Sequence, residues 1–180
     1  MPYMSWEALL NSPQPTAAGT ALANSTTLTD ISALPNYTLP ANFLQNGSAL
    51  RLTAFGVFST TVTPTLLLGF YYGGVAGANP LATTGAITTG SGVTNVPWRL
   101  EVVTTVRSTG SSGTAMSQGF CLFGTSVSAA SFLPVPNTAL ATTTIDTTSA
   151  KAITVGAQWG TANASNTVTC HGFYIESLGA

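Results

Sequence analysis

The chain has 180 residues, of which 44% are hydrophobic and only 5% are charged, and its formal net charge is −1. The length suits one domain, the hydrophobic content argues against disorder, and so small a net charge gives no field that would draw nucleic acid or an anionic membrane. No apolar run approaches the roughly 18 residues that span a bilayer, and the N-terminus lacks the features of a signal peptide, so we expect synthesis in a cytoplasm.

Residues 1–15 differ from the rest of the chain and are interpreted as an extended N-terminal arm. The stretch SWEALL predicts one helical turn, which NSPQP ends because proline cannot continue a helix. The large apolar side chains of the arm are Tyr3, Trp6, Leu9 and Leu10. Such side chains need a surface on which to be buried. That surface is either the arm's own domain or a neighbouring protein, and docking on a neighbour is the more specific hypothesis.

Residues 16–180 are predicted to form one all-β domain. A weak pair of strands is expected within 20–32, and a loop with turn signals at its prolines and at Asn46-Gly47 follows. The stronger strands are expected over 48–60, 64–74, 96–109, 114–124, 141–148, 151–161 and 166–177. A Gly- and Thr-rich loop precedes the strand at 96–109, and a connection punctuated by prolines, through LPVPN, follows the strand at 114–124. About eight strands with turns between them predict an antiparallel sandwich or barrel.

The stretch VPWRLEVVTTVRST, residues 96–109, holds three of the nine charged side chains in the chain. Its even positions are Trp98, Leu100, Val102, Thr104 and Val106, and its odd positions include Arg99, Glu101 and Arg107. Successive side chains of a strand point to opposite faces, so this pattern predicts a half-buried strand whose charged face meets water or a partner. We expect Arg51 or Arg107 to lie beside Glu101 as a cross-strand ion pair that fixes the register between subunits.

Catalytic and metal chemistry find little support in the sequence. Cys170 and His171 are adjacent and would point to opposite faces of a strand, and Cys121 and Cys170 are best explained as buried small hydrophobic residues. The five acidic residues are scattered singly, no His, Cys or carboxylate cluster has ligand spacing, and GFYYGGVAGAN lacks the Lys-Ser/Thr of a phosphate loop. No cofactor is therefore predicted, although calcium bound by backbone and Asn/Asp oxygens would leave little trace.

Three tyrosines leave two interpretations open. Tyr71, Tyr72 and Tyr174 are either core or subunit-interface residues, or a platform on which sugars stack. In the second case they would form an exposed concave surface with the loop over 73–95.

Two stretches carry a resemblance to a known family. LPANFLQNGSALRLTAFGVFSTTVTPTLLLGFYYGG and PWRLEVVTTVRSTGSSGTAMSQG resemble virion proteins of tailed bacteriophages, in particular the small head decoration proteins, also called cement or minor capsid proteins. The resemblance covers roughly residues 35–178. It implies a jelly-roll β-sandwich, a homotrimer, no enzymatic activity, and a place on the outer surface of the capsid, bound to the major capsid protein of the shell.

On this interpretation the arm docks on the shell or on a neighbouring copy through the four apolar residues named above. Arg51, Arg99, Glu101 and Arg107 would make the contacts between subunits. The alternative is a receptor- or glycan-binding knob of a head or tail fibre, since related jelly rolls serve both purposes. A secreted carbohydrate-binding module is a third possibility, which the missing signal peptide disfavours.

Overall fold

In the computed structural model, which describes residues 7–11, 16–33, 36–77 and 79–178, the chain forms fourteen β-strands and one 3-10 helix. The strands are β1 (Glu7–Leu9), β2 (Leu22–Ala23), β3 (Thr29–Asp30), β4 (Tyr37–Leu39), β5 (Ala49–Ser59), β6 (Thr65–Tyr72), β7 (Pro80–Thr83), β8 (Ile87–Thr88), β9 (Val96–Ser108), β10 (Gly113–Ser126), β11 (Ala129–Val135), β12 (Thr142–Ile145), β13 (Lys151–Trp159) and β14 (Thr167–Leu178). The 3-10 helix spans Val75–Gly77. Within the described residues, no helix has the length and hydropathy that crossing a bilayer requires.

The strands form two antiparallel sheets that pack face to face, so the predicted all-β sandwich is confirmed. The first sheet has eight strands in the order β1-β14-β5-β9-β10-β11, with β2 also pairing with β14 and β12 with β10. The second has six strands in the order β3-β13-β6-β7, with β4 also pairing with β13 and β8 with β6. Phe70 of the second sheet stacks on Phe173 of the first, with ring centroids 5.7 Å apart, and these rings join the two sheets.

Alternation along β9 sorts its side chains between the core and the surface, as the sequence predicts. Trp98, Leu100 and Val102 are buried in the core, whereas Arg99 and Arg107 on the opposite side are exposed. The neighbouring strand β5 follows the same rule. Burial of apolar area contributes roughly 25 cal/mol per Å², so the inward-facing side chains of these long strands are the main source of stability.

The two edges of the eight-stranded sheet are finished differently. The N-terminal part of the chain covers the edge of β14, where β1 pairs with the end of the strand, placing Glu7 opposite Leu178, and β2 pairs with its beginning. Between them, the buried side-chain amide of Asn11 accepts a hydrogen bond from the Ile175 amide (2.8 Å) and donates one to the Phe173 carbonyl (2.5 Å). At the opposite edge, β11 pairs with β10 along one side. No strand of the described residues pairs with its other side.

Four predictions about the elements differ from the structure. The strands within 20–32 do not pair with each other, because β2 pairs with β14 and β3 with β13, in different sheets. Glu7–Leu9 is a strand rather than a helical turn, because the edge of β14 offers backbone partners and one isolated turn is costly to form. β11 occupies the stretch predicted to be a proline-punctuated connection, since an edge strand tolerates Pro134. The count of about eight strands is not confirmed, because strands of two to four residues bring the described total to fourteen.

Candidate interaction surface

The side of the eight-stranded sheet that faces away from the core concentrates the charges of the protein. We call it the outer face and define it by the outward-pointing side chains of β14, β5, β9, β10 and β11. Of the eight Lys, Arg, Asp and Glu side chains that the structure describes, five lie on it, namely Arg51, Arg99, Glu101, Arg107 and Glu176. Each of them alternates with buried neighbours on its strand, so the alternation fixes their outward direction.

Two ion pairs hold four of these charges. On β9, the Arg99 guanidinium donates a hydrogen bond to the Glu101 carboxylate at 2.9 Å. Between strands, Arg51 Nη1 lies 3.6 Å from Glu176 Oε2. The prediction that Arg51 or Arg107 pairs with Glu101 is wrong: the register places Arg51 directly opposite Glu176, and Arg99 shares the face of Glu101 two residues away. Both pairs are partly exposed, so each contributes about 0–1 kcal/mol to stability.

Stacked aromatic rings line a groove between these two ion pairs. The rings of Phe55 and Tyr174 have centroids 5.9 Å apart with an interplanar angle of 29°, and 38% of Phe55 is exposed. The groove has a volume of about 390 Å³ and is lined by Leu9, Thr53, Phe55, Arg99, Tyr174 and Glu176. We call it the aromatic groove. A molecule bound in the groove would make apolar contact with the ring faces and accept or donate hydrogen bonds at the charged groups of the rim.

The half of the outer face nearer β11 also carries exposed apolar side chains. A second cavity, of about 430 Å³, is lined by Val103, Thr105, Arg107, Met116, Gln118, Gly119, Phe120 and Leu140. There the Arg107 guanidinium lies 3.7 Å from the Met116 sulfur. The rings of Phe120 and Phe132 have centroids 4.7 Å apart, and Phe132 and Leu140 are 68% and 46% exposed. Exposed apolar side chains that cluster in this way mark interaction surfaces.

The described part of the arm lies against its own domain. Leu10 packs against the core, whereas Leu9 is 43% exposed and lines the aromatic groove. Tyr3 and Trp6 lie outside the described residues. Of the four predicted docking residues, the structure therefore brings Leu9 to the outer face and buries Leu10 partly in the sandwich.

Tyr71 and Tyr72 do not form the exposed platform that one interpretation of the sequence required. They are only 3% and 4% exposed, and burial raises the pKa of each to about 12, with the nearby Asp146 charge adding to the effect at Tyr72. The Tyr72 hydroxyl donates a hydrogen bond to the Asp146 carbonyl at 3.0 Å. Of the three candidate tyrosines, Tyr174 alone lies on the outer face, where Phe55 is its aromatic neighbour.

The two cysteines are free and buried, as predicted. Burial raises the pKa of Cys121 to about 12 and that of Cys170 to about 11, so both thiols stay protonated at neutral pH. A β-bulge interrupts the pairing of β14 between Cys170 and Gly172, yet His171 is exposed while the Cys170 thiol is enclosed and donates to the Gly172 carbonyl at 3.2 Å. Among the residues that the structure describes, no group of three or more His, Cys, Asp or Glu could hold a metal ion.

The sequence interpretation did not assign Phe55, Phe120 or Phe132 to the site. A signal existed for Phe55, because it is a large apolar residue at an outward-facing position of a predicted strand. Phe132 gave no comparable signal, since it lies in the stretch predicted to be a connection. The contact between Phe120 and Phe132 depends on the pairing of β10 with β11, which the sequence did not predict.

Comparison with protein-family models gives no match to the chain, and comparison with curated proteins gives none either.

Proposed function

We propose that this protein is a structural virion protein that decorates and stabilises the outside of a tailed-phage capsid as a homotrimer. One observation carries the proposal: on a β-sandwich, five of the eight charged side chains that the structure describes and a set of exposed aromatic rings lie on a single sheet face. A surface with aromatic anchors and charges held in ion pairs suits a lasting contact between proteins. The resemblance of residues 35–178 to head decoration proteins supplies the kind of partner.

The proposal includes a jelly-roll topology, which the nesting of strand pairs supports. β5 pairs with β14 in the first sheet, and β6 pairs with β13 in the second. Further inward, the Thr143 hydroxyl of β12 donates a hydrogen bond to the Pro80 carbonyl of β7, and β9 pairs with β10. Pairing from the outside inwards is what a long hairpin rolled into a sandwich produces.

The outer face has the size that such a contact needs. Its four central strands, β14, β5, β9 and β10, have 11 to 14 residues each. At about 3.3 Å per residue and 4.8 Å between strands, they cover about 750 Å². A stable interface buries about 800 Å² on each partner. Arg51, Arg99, Glu101 and Arg107 would then lie between copies, where ion pairs fix register more than they add affinity.

The mechanism is mechanical, and the arm provides the link to the shell. Leu9 pairs with the edge of β14 and lines the aromatic groove. Tyr3 and Trp6 precede it in sequence. These side chains dock on the major capsid protein or on a neighbouring copy. A protein that binds the assembled shell and not its dissociated subunits stabilises the shell by an amount that grows with the logarithm of its free concentration relative to its Kd.

The test measures solution mass by light scattering, first for the protein alone and then after mixing with empty phage shells. A mass that is a multiple of three chains, together with co-migration with shells, is the expected result. The charge-reversal variant Arg99→Glu should reduce the mass, because it places two carboxylates beside each other on the outer face. Lys151→Glu is the matched control: it makes the same charge change, also beside a carboxylate, away from the outer face. Oligomers that ignore shells would contradict decoration, and a monomer in both experiments would contradict the whole proposal.

A receptor- or glycan-binding knob is the second candidate, and the aromatic groove favours it. Stacked rings at Phe55 and Tyr174, with Arg99 and Glu176 at the rim, match the amphipathic character of a sugar. A glycan array would be expected to show a reproducible ligand for the wild-type protein and weaker binding for Tyr174→Ala. An array without any reproducible ligand would argue against this candidate.

A further inference from the structure

The outer strand of the β10–β11 hairpin is open on both faces and along one side. Its first four residues, 129–132, are all exposed, and Val127 at the turn is 74% exposed. Ser131 lies directly opposite Phe123, whose ring is in the core. Directly opposite residues share a face, so the exposure of Ser131 shows that this part of the hairpin extends beyond the cover of the second sheet.

The free side of β11 carries backbone groups that are able to pair with another extended strand in place of water. An edge strand presents a row of N–H and C=O groups, and proteins usually protect such a row with charges or covering segments. The opposite edge of the same sheet is protected in this way, since β1, Asn11 and β2 cover β14. In the described part of the chain, β11 has no such cover, although it is seven residues long.

The charges of the chain indicate which strand fits this edge. Residues 108–145, which include the whole hairpin, contain no Lys, Arg, Asp, Glu or His. Two copies of β11 therefore approach each other without like-charge repulsion, which is the usual barrier to pairing of identical edges. Identical strands that pair antiparallel are related by a two-fold axis, so one surface serves both partners.

We infer that β11 pairs antiparallel with β11 of a second copy, centred on Phe132, and joins the two eight-stranded sheets into one. With the axis perpendicular to the sheet, both outer faces lie on the same side. Phe132 and Phe120 of one copy then lie next to those of the other, and the 68% exposure of Phe132 is lost. This contact uses the edge of the sheet, whereas the proposed trimer contact uses its outer face. With both contacts present, two trimers join and the assembly has six chains.

The test is the solution mass of charge variants at Phe132, measured by light scattering at one protein concentration. The wild-type mass should be an even multiple of the 18.3 kDa chain. Phe132→Lys and Phe132→Glu should each halve it, because the axis brings two like charges together. Mixing the two variants in equal amounts should restore the wild-type mass, since opposite charges then meet. Val62→Lys, at an exposed apolar residue outside the hairpin, is the control and should leave the mass unchanged.

An odd number of chains in the wild-type protein would overturn the inference, and so would variants whose mass does not fall or whose mixture does not recover. Amide hydrogen exchange of the wild-type protein gives an answer without any substitution. Protection of residues 129–133 that rises with protein concentration supports the pairing, and protection that is independent of concentration contradicts it. The count also separates the two proposals: two chains support this contact without the trimer, three support the trimer without this contact, and six support both.

Discussion

The turn before β13 shows how one carboxylate organises a segment of this weakly charged chain. Asp146 accepts hydrogen bonds from the Ser149 hydroxyl at 2.5 Å and from the Thr148 hydroxyl and amide at 2.6 and 2.9 Å, and it lies 3.2 Å from the Lys151 ammonium. The hydrogen bonds from Ser149 and Thr148, with a smaller contribution from Lys151, hold the pKa of Asp146 well below its usual range. The folded state therefore stabilises the ionised form of the Asp146 carboxylate.

A pH dependence follows from that arrangement. Because the pKa of Asp146 is lower in the folded state than its ordinary value of 3.8, its contribution to stability is fully present above 3.8 and is lost progressively as pH falls from there through the lowered folded-state pKa. We expect Asp146→Asn to lower the melting temperature by about 2–4 °C at pH 7, and the difference from wild type to shrink below about pH 4. Thermal melts of both proteins at a series of pH values measure it. A difference of the same size at neutral and at acidic pH would contradict this explanation.

Among the elements, the cover on β14 depends on a side chain that takes the place of a strand residue. The carboxamide of Asn11 donates and accepts as a peptide group does, and it bonds to the Phe173 carbonyl and the Ile175 amide. We expect Asn11→Ala to lower the free energy of unfolding by about 1–3 kcal/mol, because it leaves buried backbone groups without these partners. Urea denaturation measures the loss, and hydrogen exchange should show faster exchange of the Ile175 amide.

A matched variant separates this effect from the loss of any asparagine side chain. Asn79 is exposed, and its backbone carbonyl, which accepts from the Tyr72 amide, is retained when its side chain is shortened. Asn79→Ala should therefore change stability by less than about 0.5 kcal/mol. Equal losses in the two variants would show that the bonds of Asn11 to β14 contribute nothing particular.

Prediction of elements from the sequence succeeded where the pattern was long and strictly alternating. The stretches containing β5 and β9 were predicted to within one residue, with the correct face inward, because their charged side chains all fall at odd positions and their even positions are mostly apolar. β11 was missed because Pro134 and Pro136 resemble turn signals and because its exposed residues show no alternation. β1 was missed because Glu7–Leu9 becomes a strand only against the edge of β14.

For the whole molecule, the balance of forces differs from that of an ordinary charged protein. The ion pairs Arg51–Glu176, Arg99–Glu101 and Lys151–Asp146 are all partly exposed. The large buried side chains that face each other across the sandwich include Trp98, Trp159, Phe58, Phe70 and Phe173. Stability therefore comes mainly from apolar burial, which simple salt affects little.

We expect the melting temperature to change by no more than about 4 °C between low-salt buffer and about 0.5 M NaCl, where the Debye length is about 4 Å. Each exposed pair contributes about 0–1 kcal/mol, and 1 kcal/mol corresponds to about 2–4 °C in a chain of this size. Thermal melts followed by circular dichroism provide the measurement. A fall of more than about 10 °C would show that the ion pairs contribute much more than their exposure indicates.

For the whole molecule, the class of fold could be predicted from the sequence, but which strands lie beside each other in the sheet could not. Composition and alternation were enough to predict an antiparallel sandwich. The partner of Glu101 depends instead on β14 lying beside β5, a contact between segments more than 100 residues apart in the chain. Because these strands are neighbours, Arg51 pairs with Glu176, and Glu101 pairs with Arg99 on its own strand. No local sequence pattern indicates which strands are neighbours.

The pairing of Glu7 with Leu178 places both ends of the described chain at one corner of the sandwich. The described backbone therefore starts at residue 7 and stops at residue 178 at that corner, on the edge opposite β11. Five strand spacings of about 4.8 Å separate the two edges, a distance of roughly 24 Å. A label on the backbone at residue 7 or at residue 178 would thus lie beside the other of these two residues, at the edge of the sheet away from the open hairpin.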